Sequence, residues 1–159
     1  MTGRYQAVIV SPLPNASRLG LSLDHGVLKS IDFLPADYSP FVSEDEGVAD
    51  AVSLLRRYFS DGSSVAELSF QPEGTPFQQR VWQQLCRIPA GQVARYGELA
   101  KLLDSSARAV AGACRANPIP ILIPCHRVIA VTGLGGYLGE TSGNELAIKQ
   151  WLLQHEGYV

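Results

Sequence analysis

"ARAVAGACRANPIPILIPCHRVI", Ala107 to Ile129, joins a short helix that has to stop to a cysteine that the backbone holds still. The first half reads as a helix from about Ala107 to Ala116. It ends near Pro118, because proline lacks an N–H and restricts the residue before it. The second half cannot be a regular helix. Pro118, Pro120 and Pro124 forbid one and push Asn117, Ile119 and Ile123 towards extended backbone. Ile119, Ile121, Leu122 and Ile123 are apolar enough to be buried, so Cys125 closes a rigid, buried run. Rigid placement suits a reactive group, and it suits a packing residue equally. From the residues alone both readings of Cys125 stand. His126 is adjacent, and in extended backbone neighbouring side chains point to opposite sides. A bridging water is then a better link to the sulfur than direct contact. Gly133, Gly135, Gly136 and Gly139 follow, either letting backbone amides approach a small planar ligand or forming a hairpin turn.

Upstream, "RYGELAKLLDSS" supplies a short helix carrying Leu99, Leu102 and Leu103, then a turn at Asp104-Ser105-Ser106 that caps the next helix. Two short helices joined by a tight turn match a helix-turn-helix, a weak pattern by itself. The second helix places Arg108, Ala111, Gly112 and Arg115 on one face. A helix with side chains is about 10–12 Å across and a DNA minor groove about 6 Å wide. A face shorn of bulk and flanked by arginines suits that groove; close packing on a neighbouring helix would explain the small residues as well. "TPFQQRVWQQLCRI" before it opens with Thr75 as cap, Pro76 at the first helical position and Gln78 completing a capping box. Phe77, Val81, Leu85 and Ile88 form its apolar stripe.

The N-terminal part differs. "YQAVIVSPL", "RLGLSLDHG" and "VLKSIDFLP" read as strands broken by turn signals. "EGVADAVSLLRRYFSDG" reads as a helix with Val48, Ala51, Val52, Leu55 and Phe59 on one face, and "VAELSF" as a further strand. "QPEG", Gln71 to Gly74, is the linker. "GNELAIKQWLLQHEGYV" reads as a terminal helix with a glycine stop.

Charge changes sign at that linker. Met1 to Gly74 holds five basic and ten acidic residues, a balance of −5; Thr75 to Val159 holds eight and five, a balance of +3. Arg80, Arg87, Arg95, Lys101, Arg108, Arg115 and Arg127 are opposed only by Glu98 and Asp104 within their window. A local basic patch matters more for a polyanion than the whole-chain charge of −2. A solvated basic face is the plainer reading of the same charges. Three cysteines without CxxC spacing imply reduced thiols and a cytosolic or nuclear setting. No membrane span, no signal peptide and no metal cluster is expected.

"IPCHRVI" resembles the active-site motif of the O6-alkylguanine-DNA alkyltransferases, the methylated-DNA–protein-cysteine methyltransferases. "TPFQQRVWQQLCRIPAGQVARYGELA", "ARAVAGACRANPIPILIPCHRVI", "GGY" and "AIKQWLLQHEG" are similar to that family's C-terminal domain, in order, from Thr75 to Gly157. The resemblance implies an α+β fold. A small strand-rich, ribonuclease H-like lobe (residues 1–72) precedes a mostly helical domain with a helix-turn-helix (residues 73–159). It implies direct-reversal DNA repair, a single-turnover transfer of a methyl or other alkyl group from O6 of guanine, and O4 of thymine, to Cys125. It implies no cofactor, a monomer, and double-stranded DNA as partner, met in the minor groove with the damaged base flipped out. The place of action is the cytoplasm, or the nucleus in a eukaryote.

By the same resemblance His126 takes up the thiol proton through a water and Glu156 orients His126. Tyr96 helps rotate the nucleotide and protonates the departing base. Arg108 fills the vacated stack, and Asn117 hinges the recognition helix to the cysteine loop. Ala107, Ala109, Gly112 and Arg115 join Arg108 and Tyr96 against DNA. The carbonyls of Cys125 and Val128 accept from the guanine amine, and the backbone at Tyr137 and Leu138 donates towards O6. Lys149 matches a family lysine. "YLGETSGNELAIKQW" is longer than the family's usual connection, which leaves the range of alkyl sizes open. A non-enzymatic lesion-binding protein is the alternative; such proteins lack the nucleophile that Cys125 provides. A helix-turn-helix regulator would need polar base-reading residues that "ARAVAGACRANP" scarcely offers.

Overall fold

The computed structural model describes residues 4–62, 70–137 and 143–158. Three strands, β1 (Ala7–Leu13), β2 (Ala16–Asp24) and β3 (Val27–Leu34), run antiparallel, with the short β4 (Phe41–Val42) closing the sheet in the order β3-β2-β1-β4. The turns between the long strands use Asn15, His25 and Gly26 at positive φ, where asparagine and glycine are least strained. Helix α1 (Val48–Asp61) packs its buried face, Val48, Ala51, Val52, Leu54, Leu55 and Tyr58, towards the core. The apolar face therefore includes Tyr58, while Phe59 is only half-buried. Gly62 stops the helix in the left-handed region. The strand expected at "VAELSF" falls outside the described residues except for Phe70, which bridges to Leu28.

Helix α2 (Pro76–Leu85) starts as its sequence dictates. Thr75 Oγ1 accepts from the Gln78 amide at 3.1 Å, and Gln78 Oε1 accepts from the Thr75 amide at 2.9 Å. It buries Val81, Trp82 and Leu85, and Trp82 Nε1 donates to the Ala113 carbonyl at 2.9 Å. Next come β5 (Ala94–Arg95), α3 (Tyr96–Leu102) and α4 (Ala107–Arg115). Asp104 takes a positive φ in the turn, and Ser106 Oγ accepts from the Ala109 amide at 3.1 Å to cap α4. Leu99 and Leu103 are buried; Leu102, expected on the same stripe, is 70% exposed.

The Asn117–Pro124 segment departs from expectation. It is not extended but coiled, with the Ile123 amide donating to the Ile119 carbonyl at 3.0 Å and Ile121 at φ 77°. Proline at 120 fixes a φ that a turn accepts as well as a strand does. Coiling lets Ile119, Ile121, Leu122 and Ile123 all be buried, which a strand with one solvent face would not. Cys125–Arg127 then form a single 3-10 turn, followed by β6 (Val128–Ile129), which pairs parallel with β5. Helix α5 (Asn144–His155) buries Ile148, Lys149, Leu152 and Leu153. One apolar cluster runs from the sheet and α1 through α2, α3, α4 and α5.

Candidate active site

Cys125 belongs to this cluster and is 2% exposed. Asn117 organises its approach. Its Oδ1 accepts from the Ile119 amide at 2.9 Å, and its Nδ2 donates to the Ile123 carbonyl at 2.8 Å and to Cys125 Sγ at 3.3 Å. One buried amide thus staples both ends of the coiled segment and touches the sulfur. Burial pushes the thiol up to about 11, with the Asn117 hydrogen bond and the Lys149 charge pulling the other way. Cys125 is therefore a thiol at neutral pH, and its proton must leave when the sulfur reacts.

His126 is fully buried, in the 3-10 turn that replaces the extended backbone expected there. Its Nε2 lies 2.7 Å from Glu156 Oε2, and its Nδ1 is buried with no protein partner among the described residues. A carboxylate at Nε2 assigns the proton to that nitrogen and leaves Nδ1 as an acceptor. Burial lowers the His126 pKa, against the pull of Glu156, so the ring is a neutral base. Glu156 also accepts from Arg127, Nε to Oε1 at 2.8 Å and Nη2 to Oε2 at 3.0 Å, and from the Tyr58 hydroxyl at 2.5 Å. Burial alone would raise this carboxyl; the hydrogen bonds and charges of His126 and Arg127 outweigh it and hold it down at about 2.

The basic window loses a member here. Arg127 is 9% exposed and spends its donors on Glu156 and the Ile88 carbonyl (2.6 Å), so it is no part of a surface patch. Arg108 and Arg115 are exposed on α4, as are Ala107, Ala111 and Gly112; Ala109 is half-buried. A Cβ added at Gly112 would meet nothing within 4 Å. The small face is therefore open to solvent, and packing against a neighbouring helix does not explain it. Val110, Ala113 and Cys114 make the buried side of α4.

Pairing of β5 with β6 sets Tyr96 beside the cysteine turn, a link between "ARY" and "HRVI" that sequence spacing does not reveal. Tyr96 Oη donates to the Gly136 carbonyl at 3.4 Å, and burial raises its pKa. Lys149 is fully buried beneath. Its ammonium donates to the carbonyls of Val128 (2.6 Å), Leu134 (2.5 Å) and Gly136 (2.8 Å). Burial lowers it to about 8, so it keeps its three donors at neutral pH. The carbonyls of Cys125 and Val128 are each engaged already, by the Val128 amide and by Lys149, and each keeps a second lone pair. Tyr137 is buried, its hydroxyl unpartnered among the described residues; Leu138 lies outside them. Tyr58 and the pairing role of Arg127 escaped the sequence reading. The helical spacing of Tyr58 from Ala51 and Leu55 was the available signal.

Among the described residues no helix is long and apolar enough to cross a membrane, and no group of three His, Cys, Asp or Glu could hold a metal ion.

Residues 76–158 match the family described as 6-O-methylguanine DNA methyltransferase, DNA binding domain. A methylated-DNA–protein-cysteine methyltransferase of Shigella flexneri is 47% identical over 109 residues, 66% of this chain and 61% of that protein. The chain thus spans less than two thirds of that relative's length. One from Methanosarcina acetivorans is 37% identical over 96% of this chain and 98% of its own. The crystal structure of the Mycobacterium tuberculosis O6-methylguanine methyltransferase superposes with TM-score 0.77 at 35% identity, covering 94% of this chain and 90% of that one. A structure of the Mycobacterium tuberculosis OGT in complex with DNA gives 0.74.

Proposed function

The chain belongs to the 6-O-methylguanine DNA methyltransferase family, and on that premise we propose that it repairs alkylated DNA by direct reversal. It moves a methyl or other alkyl group from O6 of guanine, or O4 of thymine, onto its own Cys125, once per molecule. The observation that carries this reading is the buried Cys125 thiol held by Asn117 beside a His126–Glu156 pair. In the transfer the Sγ–carbon bond forms as the carbon–O6 bond breaks. The thiol proton passes through a bridging water to His126 Nδ1, the acceptor that Glu156 leaves free. The departing guanine takes its proton from Tyr96. No metal or cofactor is needed, because the alkyl carbon is already electrophilic and the site supplies alignment.

A buried sulfur cannot reach O6 inside a duplex, so the base must be flipped, at a cost of a few kcal/mol. The pair α3 and α4 acts as a helix-turn-helix whose small face, with Ala107, Ala109, Gly112 and Arg115, enters the minor groove. Arg108 occupies the vacated stack, and Tyr96 turns the nucleotide. The carbonyls of Cys125 and Val128 take the guanine amine on their remaining lone pairs, and the backbone at Tyr137 and Leu138 faces O6. Residues 1–72 form the ribonuclease H-like lobe and 73–159 the transfer domain. The protein works as a monomer in the cytoplasm, or in a eukaryotic nucleus.

Intact-protein mass spectrometry after incubation with a duplex bearing one O6-methylguanine tests this. Wild type should gain one methyl group and Cys125→Ala none. Tight lesion binding with no mass gain in wild type would instead identify a lesion-binding protein.

A further inference from the structure

We propose that Tyr58, from the first lobe, is a positioning residue for the transfer chemistry: its hydroxyl fixes the Glu156 carboxylate and, through it, the ring of His126. This deepens the function proposed above and rests on it.

The Glu156 side chain is fully buried. Three donors converge on its Oε2: Tyr58 Oη at 2.5 Å, His126 Nε2 at 2.7 Å and Arg127 Nη2 at 3.0 Å. Two of them come from the cysteine turn itself, and the third crosses from α1. Tyr58 is 1% exposed. Burial and the Glu156 charge push its pKa far up, so it stays a donor. Its position is over-determined. Its carbonyl meets His155 Nε2 at 2.7 Å, and its ring stands edge-on to His155 and Phe59. A purely packing role would be met by phenylalanine. The hydroxyl is instead aimed at the one carboxylate that orients the base.

The groups around His126 give this contact a chemical consequence. Arg127 and Lys149 are cations that oppose protonation of the ring, and Glu156 is the anion that favours it. Cys125 and Tyr137 face the cluster as neutral acids, with Glu145 acting on Tyr137 from α5. Tyr58 draws on the same oxygen that binds His126 Nε2. It thereby limits how strongly Glu156 can hold a protonated imidazole, and it keeps the carboxylate from rotating. Without the hydroxyl, Glu156 favours the imidazolium more, and His126 becomes a base only at higher pH.

The test is single-turnover methyl transfer from an O6-methylguanine duplex, followed by quenched mass spectrometry from pH 5 to 9, in wild type and Tyr58→Phe. The variant's acid limb should be raised by about half a pH unit or more, making it about threefold slower or more well down that limb and equal to wild type on the alkaline plateau. Its melting temperature and DNA affinity should stay near wild type. A ring-fluorinated tyrosine at position 58 keeps the shape and strengthens the donor; its acid limb should move down, which serves if the phenylalanine variant does not fold. Wild-type transfer with superimposable profiles in the variants would overturn the role of Tyr58 and leave the function intact. Equal slowing at every pH with a lowered melting temperature would also overturn it, as a structural effect. Absence of transfer in wild type would remove the function and this inference together.

Discussion

The outward face of α4 and the Cys125–Arg127 turn are joined by one short coiled segment, yet they are built by opposite rules. On α4, Arg108, Ala111, Gly112 and Arg115 face solvent, and a side chain could be added at Gly112 without meeting anything. In the turn every residue is buried, and Glu156 alone accepts four hydrogen bonds from Tyr58, His126 and Arg127. On the function proposed above, α4 meets a regular polyanion, where low bulk and exposed charge help. A site that moves a proton needs each group held in one geometry, since buried polar groups left unpaired are costly. Asn117 stands at the boundary: its backbone amide donates to the Cys114 carbonyl in the last turn of α4, and its side chain touches the sulfur.

The contrast can be broken at several points. Cys125→Ser should lower transfer by more than about a thousandfold, because a hydroxyl in this setting is a far weaker nucleophile. DNA affinity, read by fluorescence anisotropy, should be unchanged. Glu156→Gln strands the buried Arg127 and should destabilise the fold by about 3–5 kcal/mol in chemical denaturation. It should also change the acid limb of stability. The Glu156 carboxyl, ordinarily near 4.5, is held down at about 2 in the folded chain. Its contribution is therefore present above pH 4.5 and lost as pH falls towards 2, and the glutamine variant should lack that loss. Unfolding midpoints between pH 2 and 6 decide it. Gly112→Leu, at a position open to solvent, should leave the melting temperature alone and weaken DNA binding about tenfold if the small face enters a groove. Equal affinity would mean that another surface meets DNA. Arg115→Ala should have the smallest effect, a slope of log affinity against log salt shallower by about 0.9.

Much of this contrast was legible in the residues. Local rules wrote the capping box at Thr75, the Ser106 cap, the turn at Asp104 and the three strands, and the structure obeys them. Helical periodicity set Arg108, Ala111, Gly112 and Arg115 on one face of α4, but packing and exposure explained that face equally until the structure showed it open. What stayed hidden depends on partners distant in sequence. Nothing near Arg127 says that it turns inwards to Glu156, so it was counted with the surface charges. Nothing near Ala94 announces a strand partner at Val128. The proline-rich segment misled because proline restricts φ without choosing between strand and turn, and the choice went to burial of four aliphatic side chains. Tyr58 could be placed on the inner face of α1 by spacing, but its target lies at the far end of the chain.

The buried Lys149 ammonium, tied to the carbonyls of Val128, Leu134 and Gly136, has a use as a clock. An amine with no solvent exposure cannot meet an acylating reagent until those three contacts part. Surface lysines such as Lys101 label at once, while labelling at Lys149 counts openings of the loop beneath Tyr96. Slowed labelling when DNA is added would report that a bound duplex holds that loop shut.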